Sequence, residues 1–169
     1  MRTAAEERLL EALQDTAADL LAYFERRVRL REDAADLLSE VMIQAWRRVD
    51  AVPAELEPRR MWLFTVARNV LSNHARANRR RSALTERIRQ HLASTEPTPD
   101  HSEAAAVRDA VRRLPDAQRE LVMLIHWDEF SIRQASELLA LNPSTARSRY
   151  AAARETLQRS LEPTPAPRA

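Results

Sequence analysis

Apolar side chains recur at steps of three and four along most of the chain, which is the spacing of one face of an α-helix. The first such run follows Thr3-Ala4-Ala5-Glu6, a sequence typical of a capping box, and extends to about residue 30. A second helix is predicted to begin with Asp33 as its cap and to end before Pro53. The apolar positions are Leu10, Leu13, Ala17, Leu20, Phe24 and Val28 in the first helix, and Leu37, Val41, Ile43, Ala45 and Trp46 in the second.

A third helix is predicted after a loop over residues 50–57. Pro58 suits its first helical position, because that position needs no hydrogen-bonded amide. The helix is expected to reach about Arg80, and a short helical piece is predicted over residues 84–92. The apolar positions of the third helix are Met61, Leu63, Val66, Val70 and Leu71.

A polar, proline-bearing stretch over residues 94–100 predicts a linker that divides the chain. Beyond it we expect four helices, over 104–114, from Pro115, over 132–139 with Ser131 as cap, and over 143–160 after Asn142-Pro143. The predicted fold class is therefore all-α, with two small helical domains joined by a flexible linker. The predicted boundaries are 1–93 for the first domain, 94–106 for the linker, 107–161 for the second domain and 162–169 for a disordered tail.

Composition excludes several chemistries. The chain has no glycine, so it lacks the Walker A loop, the dinucleotide fingerprint and the glycine-flanked serine elbow. It has no cysteine, and its four histidines show no metal-binding spacing. We therefore expect no enzyme, no cofactor and no metal. No apolar run approaches the roughly 18 residues of a membrane span, and the first residues lead into no signal-peptide core, so we expect a cytoplasmic chain without membrane insertion.

Charge is distributed unevenly. Every one of the 27 cationic side chains is arginine, and the net charge is only +2. Residues 1–58 carry 8 Arg against 13 acidic residues, whereas residues 59–89 carry 9 Arg against one acidic residue. This pattern predicts two macromolecular contacts, of which one is polyanionic.

The last two predicted helices have the lengths of a helix-turn-helix, joined by Ala140-Leu141-Asn142. The final helix should pack inward through Ala146, Tyr150, Ala153 and Leu157 and present Arg147, Ser148, Ala151 and Arg154 outward. Arginine near the start of such a helix suits the major groove, since its planar fork fits the edge of guanine. An ordinary helical hairpin with solvated arginines is the alternative.

The basic middle of the chain combines arginines with aromatic and amide side chains. Arginines track a phosphate backbone, while aromatic and amide groups contact unstacked bases. The alternative places the aromatic residues in the core and the arginines at a solvated helix end. The residues concerned are Trp62, Phe64, Arg68, Asn69, Asn73, Arg76, Arg79, Arg80 and Arg81.

An acidic stripe lies on the predicted second helix. Asp33, Asp36 and Glu40 share one side of that helix, a pattern that fits either a protein-binding surface or a solvated face.

Four stretches together resemble a bacterial sigma factor of the extracytoplasmic-function (ECF) group of the sigma-70 family. Residues 33–46 resemble region 2.2, and residues 61–69 resemble the family's -WL-x-x-IARN- segment. Residues 114–120 resemble the LP-x-x-x-RE opening of region 4, and residues 131–155 resemble its helix-turn-helix. These stretches occur in the family's order and cover most of residues 18–160.

The resemblance implies a transcription initiation subunit that binds core RNA polymerase through the β′ coiled coil and the β flap. Asp33, Asp36, Leu37, Glu40 and Trp46 would then bind polymerase. The basic middle would bind the −10 element as single-stranded DNA, with residues 50–57 as the −10 loop. The helix-turn-helix would read the −35 element through Ser144, Thr145, Arg147, Ser148, Arg149, Ala151 and Arg154. An anti-sigma partner and an association with the nucleoid are further expectations.

Two questions stay open at this point. Ala140 stands where the family has a turn glycine, so its backbone must either avoid the left-handed region or strain an alanine. A stand-alone helix-turn-helix regulator that binds duplex DNA without polymerase would also explain residues 107–161. It would leave the acidic stripe and the basic middle without a role.

Overall fold

The computed structural model describes residues 2–89 and 103–161, with side chains over 2–80 and 104–161. These residues form seven α-helices and no strand, which confirms the all-α prediction. The chain divides into two compact units, residues 1–94 and 95–169. The predicted linker over 94–100 and the predicted tail over 162–169 lie outside the described residues.

The first unit contains three helices, named α1 (Ala4–Glu25), α2 (Arg31–Trp46) and α3 (Leu56–Arg89), and a single 3-10 turn over Val49–Ala51. The predicted capping box begins α1. The Thr3 amide donates to the Glu6 carboxylate over 2.8 Å, and the Glu6 amide donates to the Thr3 hydroxyl over 3.2 Å.

The start of α2 differs from the prediction, because Asp33 is not its cap. The helix begins at Arg31, after an extended Leu30 whose side chain cannot cap it. The Arg31 side chain pairs with Glu25 at the end of α1 over 2.9 Å. Asp33 lies inside the first turn instead, where its carboxylate meets the positive end of the helix dipole.

The start and end of α3 also differ from the prediction. The helix begins at Leu56, so Pro58 is its third residue; it still lies in the first turn, where a missing amide costs nothing. The helix continues to Arg89 without a break, and the separate helical piece predicted from residue 84 is wrong up to that point.

The core of the first unit lies where α1, α2 and α3 pack together. Tyr23 packs edge-on against both Phe24 and Phe64, at centroid distances of 5.3 and 5.5 Å. Leu9, Leu20 and Leu63 are fully buried around these rings. Aromatic pairs in this geometry add about 0.5–1.5 kcal/mol beyond the burial of their area, so the rings hold α3 firmly against α1.

The second unit contains α4 (Glu103–Arg113), α5 (Asp116–His126), α6 (Ile132–Leu138) and α7 (Pro143–Leu161). The prediction of four helices is confirmed, with Pro115 as the N-cap of α5 rather than its first residue. Ser131 caps α6 through a capping box with Gln134, and the Asn142 side chain accepts the Ser144 amide over 2.9 Å at the start of α7.

One core cluster of the second unit is built from α4, α5 and α7. Val111, Leu114, Val122, Met123 and Ala153 form it, and the half-buried Tyr150 and Leu157 pack against it. The inward face predicted for α7 is therefore confirmed.

Two residues of the second unit have a left-handed backbone. Glu129 has φ of 56° before α6, and Ala140 has φ of 52° after it. The question about Ala140 is thus answered: the turn keeps the left-handed conformation and places an alanine in it, at a cost of roughly 1–2 kcal/mol.

Candidate nucleic-acid and polymerase interfaces

The outward face of α2 is apolar at its C-terminal half. Met42, Ile43 and Trp46 are 37%, 47% and 46% exposed. Ile43 belongs to the apolar pattern of the predicted second helix but lies outside its buried stripe, which runs through Ala34, Leu37, Val41 and Ala45. Large apolar side chains grouped on one surface mark a binding site for another macromolecule.

The acidic residues of α2 differ in their surroundings. Asp36 is exposed, whereas Asp33 is half-buried with its carboxylate 3.9 Å from the His74 ring. Leu37 is only 6% exposed and belongs to the core, so it supports this surface from below and does not form part of it.

Glu40 contacts the next residue along its own side of α2. Its carboxylate accepts a hydrogen bond of 2.8 Å from the Gln44 side-chain amide. Gln44 in turn lines a cavity between α2 and α3, so the acidic face and the cavity are one helical turn apart.

That cavity has a volume of about 220 Å³ and polar walls. The Arg76 guanidinium donates to the Asn73 side-chain oxygen over 2.7 Å at its edge. This bond leaves the Asn73 amide nitrogen as a donor and fixes the direction in which it points. The lining residues are Gln44, Arg48, Val66, Asn69, Val70, Asn73 and Arg76.

Three of the lining residues were among the predicted DNA-binding residues, namely Asn69, Asn73 and Arg76. The sequence pattern did not identify Gln44 and Arg48. Their role depends on the packing of α2 against α3, and no spacing along the chain reveals it.

The other predicted residues of α3 lie in different surroundings. Arg79 and Arg80 are exposed, Arg68 and Trp62 are half-buried, and the side chain of Arg81 is outside the description. Phe64 is 1% exposed and packs on Tyr23. The interpretation of Phe64 as a base-contacting residue is therefore wrong, because its ring is enclosed in the core.

The outward face of α7 carries the predicted reading residues. Arg147, Ser148, Ala151 and Arg154 are all exposed, as expected. Ser144 is exposed too, while Thr145 and Arg149 are half-buried. The Ser148 hydroxyl donates to the Ser144 carbonyl over 3.0 Å, and the Ser144 hydroxyl donates to the Asn142 side chain over 2.8 Å.

Metal-binding clusters and membrane-spanning helices are both absent from the residues that the structure describes. Among residues 2–89 and 103–161, no group of three or more histidine, aspartate or glutamate side chains could hold a metal ion. The helices of the same residues include none with the length and apolar character of a membrane span.

Comparison with protein families matches both units. Residues 12–81 match the model of sigma-70 region 2, and residues 104–157 match the model of sigma-70 region 4. The first match covers the cavity and α3 as far as residue 81, and the second covers α6 and most of α7. The fold and its two surfaces thus define a sigma-70-type transcription initiation factor.

Individual relatives show to which group of sigma-70 factors the chain belongs. The chain is 31% identical over 166 residues to the ECF RNA polymerase sigma factor SigL of Mycobacterium tuberculosis, covering 94% of this chain and 92% of that protein. It is 30% identical to the ECF RNA polymerase sigma factor BldN of Streptomyces coelicolor, over 91% of this chain and 59% of that protein. The protein belongs to the ECF group of sigma-70 factors, which act with RNA polymerase in promoter-specific transcription.

A solved structure shares the fold. The sigma factor RpoE from Bartonella quintana, in complex with the anti-sigma factor NepR, superposes with a TM-score of 0.70. The sequence identity is 24%, over 90% of this chain and 95% of that one.

Proposed function

We propose that the outward face of α2 binds the β′ coiled coil of core polymerase. The apolar patch of Met42, Ile43 and Trp46 supplies the area to be buried, and tryptophan is enriched among the residues that dominate interface energy. The carboxylates of Asp36 and Glu40 flank this patch and would pair with cationic side chains of the partner. Asp33 would contribute at the far end of the same surface.

The same unit would hold the −10 element as single-stranded DNA. The observation that supports this most strongly is the polar cavity of Gln44, Arg48, Asn69, Asn73 and Arg76, which is large enough for one unstacked base. Amide groups and guanidinium groups hydrogen-bond the edges of bases. Arg68, Arg79 and Arg80 would contact phosphates, and Trp62 offers a partly exposed ring for stacking.

The second unit would read the −35 element as duplex DNA. α7 presents Arg147, Ser148, Ala151 and Arg154 to the major groove, with Ser144 and Thr145 near its N-terminus and Arg149 on phosphate. This unit would also contact the β flap. An anti-sigma factor is the proposed regulator, in line with the complex formed by RpoE of Bartonella quintana.

Run-off transcription tests the proposal. The purified full chain is added to core polymerase with a library of promoters, and the transcripts are sequenced. We expect initiation from a subset of promoters that share two separate short sequence motifs. A chain that starts no transcription on any template would contradict the proposed function.

Co-elution with core polymerase tests the α2 surface separately. The double variant Asp36→Arg with Glu40→Arg should lower the affinity at least tenfold, because charge reversal turns attraction into repulsion. The matched control is Glu7→Arg with Asp15→Arg, two exposed acidic residues on α1. Equal co-elution of both variants would count against the surface, and a wild-type chain that never co-elutes would favour a regulator acting without polymerase.

A further inference from the structure

Arg59, in the first turn of α3, is a buried charged residue. The residue is only 5% exposed. Burying a cation is costly unless hydrogen bonds and an opposite charge compensate for the lost water. Here the Glu11 carboxylate of α1 lies 3.5 Å from the guanidinium, and three backbone carbonyls accept its hydrogen bonds.

Two of these carbonyls belong to the segment between α2 and α3. Nε of Arg59 donates to the Pro53 carbonyl over 3.1 Å, and Nη2 donates to the Ala54 carbonyl. Nη1 donates to the Arg8 carbonyl of α1 over 3.4 Å. The flat guanidinium therefore fastens the segment to α1, and the single ammonium of a lysine could not reproduce this geometry.

The segment over residues 47–55 is bonded at its two ends to the neighbouring helices, through the Arg47 and Arg48 amides and the Glu55 carbonyl, and packs against α1 in its middle. A 3-10 turn over Val49–Ala51 supplies hydrogen bonds of 2.9 and 3.2 Å, and Val52 is its buried apolar residue. Pro53 and Ala54 lie outside any helix, so no helical amide donates to their carbonyls. Arg59 donates to both.

The anchored segment adjoins the polar cavity. Arg48 lies at the start of the segment and lines the cavity opposite Asn69 and Asn73 of α3. α2 and α3 pack directly on each other, and the path of the segment between them contributes to the placement of the Arg48 side chain relative to the two amides. The anchor at Pro53 and Ala54 fixes that path.

We propose that Arg59 is a positioning residue for base recognition, which rests on the proposed function of the cavity as a site for one promoter base. Arg59 touches no DNA in this proposal. It keeps the 47–55 segment in one conformation, so that Arg48 meets the base in a defined geometry. A loosened segment would still bind DNA by charge but would discriminate poorly between bases.

Two measurements on the full chain test the role of Arg59. The variant Arg59→Met keeps the length of the side chain and removes every donor, and Arg60→Met is the control on the neighbouring residue. Hydrogen exchange at the amides of residues 49–55 should accelerate about tenfold in Arg59→Met and stay unchanged in the control. In transcription with core polymerase, the preference for the best −10 sequence over single-base substitutions should fall roughly five- to tenfold. The preference at the −35 element should not change.

Several outcomes would overturn the proposal. An unchanged −10 preference despite faster exchange would make Arg59 a structural anchor without a role in recognition. Equal losses of sequence preference at the −10 and −35 elements would also make Arg59 a structural anchor without a role in recognition. If Arg59→Met fails to fold, Arg59→Lys replaces it, since that variant keeps the charge and loses the fork. A wild-type chain without transcription on any template would remove the proposed function, whereas the exchange result would still report the anchor.

Discussion

The surfaces of α3 and α7 both carry arginines and small polar side chains, yet they are built differently. Around α3 two pairs are already formed: Arg76 with Asn73 over 2.7 Å, and Gln44 with Glu40 over 2.8 Å. On α7 the hydroxyls of Ser144 and Ser148 are bonded near the N-terminus. The side chains of Arg147, Arg149 and Arg154, in contrast, make no hydrogen bond or ion pair with any residue that the structure describes. One surface is a concave cavity between two helices, and the other is the convex side of a single helix.

This difference matches the proposed ligands. A cavity that takes one unstacked base benefits from side chains that are fixed beforehand, because less conformational entropy is then lost on binding. A helix that enters a groove of duplex DNA finds its partners on the DNA itself, so its arginines can stay solvated until they bind. Binding by the first unit therefore depends on its internal packing, and binding by the second unit depends on a few exposed side chains.

The largest expected effect concerns the packing beneath α3. Phe64→Ala should lower the free energy of unfolding of the first unit by about 3–5 kcal/mol, because it leaves a cavity beside Tyr23. Trp62→Ala, two residues earlier and half-buried, is the control and should cost clearly less. Hydrogen exchange in increasing urea reads the two units separately in the full chain. Similar losses in both variants would refute the assignment of Phe64 to the core.

The next effect concerns the exposed face of α7. Arg147→Ala should cost about 1–3 kcal/mol in binding the preferred −35 duplex and should relax base preference at one position. The control is Arg159→Ala near the end of the same helix, where the side chain pairs with Glu155 over 3.5 Å. Selection of binding sites from random duplexes measures both variants. The same selected motif for wild type and Arg147→Ala would refute the reading role.

A third prediction separates phosphate contacts from base contacts. Replacing Arg68, Arg79 and Arg80 by glutamine should reduce the salt dependence of binding to −10 single strands, by about 0.7 in the logarithmic slope per lost contact. The same replacement of Arg108, Arg112 and Arg113 on α4 is the control. Titrations of the polymerase complex at several salt concentrations provide the slopes. Equal slopes for all three proteins would make the exposed end of α3 a solvated surface.

The smallest effect concerns the backbone around α6. Among the described residues, positive φ occurs only in the second unit, at Glu129 and Ala140. Glu129→Gly and Ala140→Gly should each raise the free energy of unfolding of this unit by about 0.5–1 kcal/mol, because glycine adopts the left-handed conformation without strain. Ala151→Gly, inside α7, should lower it by a similar amount. Thermal unfolding of the full chain checks all three, and a loss of stability at residue 140 would contradict the strain.

Features that depend on neighbours in sequence were predictable. The capping box at Thr3 formed as predicted, and Ser131 caps α6 as predicted, through a capping box with Gln134 that the sequence analysis did not name. The inward and outward faces of α7 follow from helical periodicity, which one sequence is enough to show. The resemblance to the sigma-70 family added the order of the two units, which the family models match.

Features that depend on packing between helices were not predictable. Phe64 and Trp62 are two aromatic residues in one basic segment, and only the position of Tyr23 decides which ring is enclosed. Gln44, Arg48 and Arg59 gain their surroundings from α1, α2 and α3 together. Asp33 was a reasonable cap by type, but the extended Leu30 begins the helix earlier.

The three tryptophans lie in three different parts of the molecule. Trp46 lies on the outward face of α2, and Trp62 lies on α3. Trp127 directly follows α5 in the second unit, and 38% of its surface is exposed. Variants that retain one indole each would give the protein three separate optical reporters. The emission of each would show which surface a partner covers, and in what order, without any attached dye.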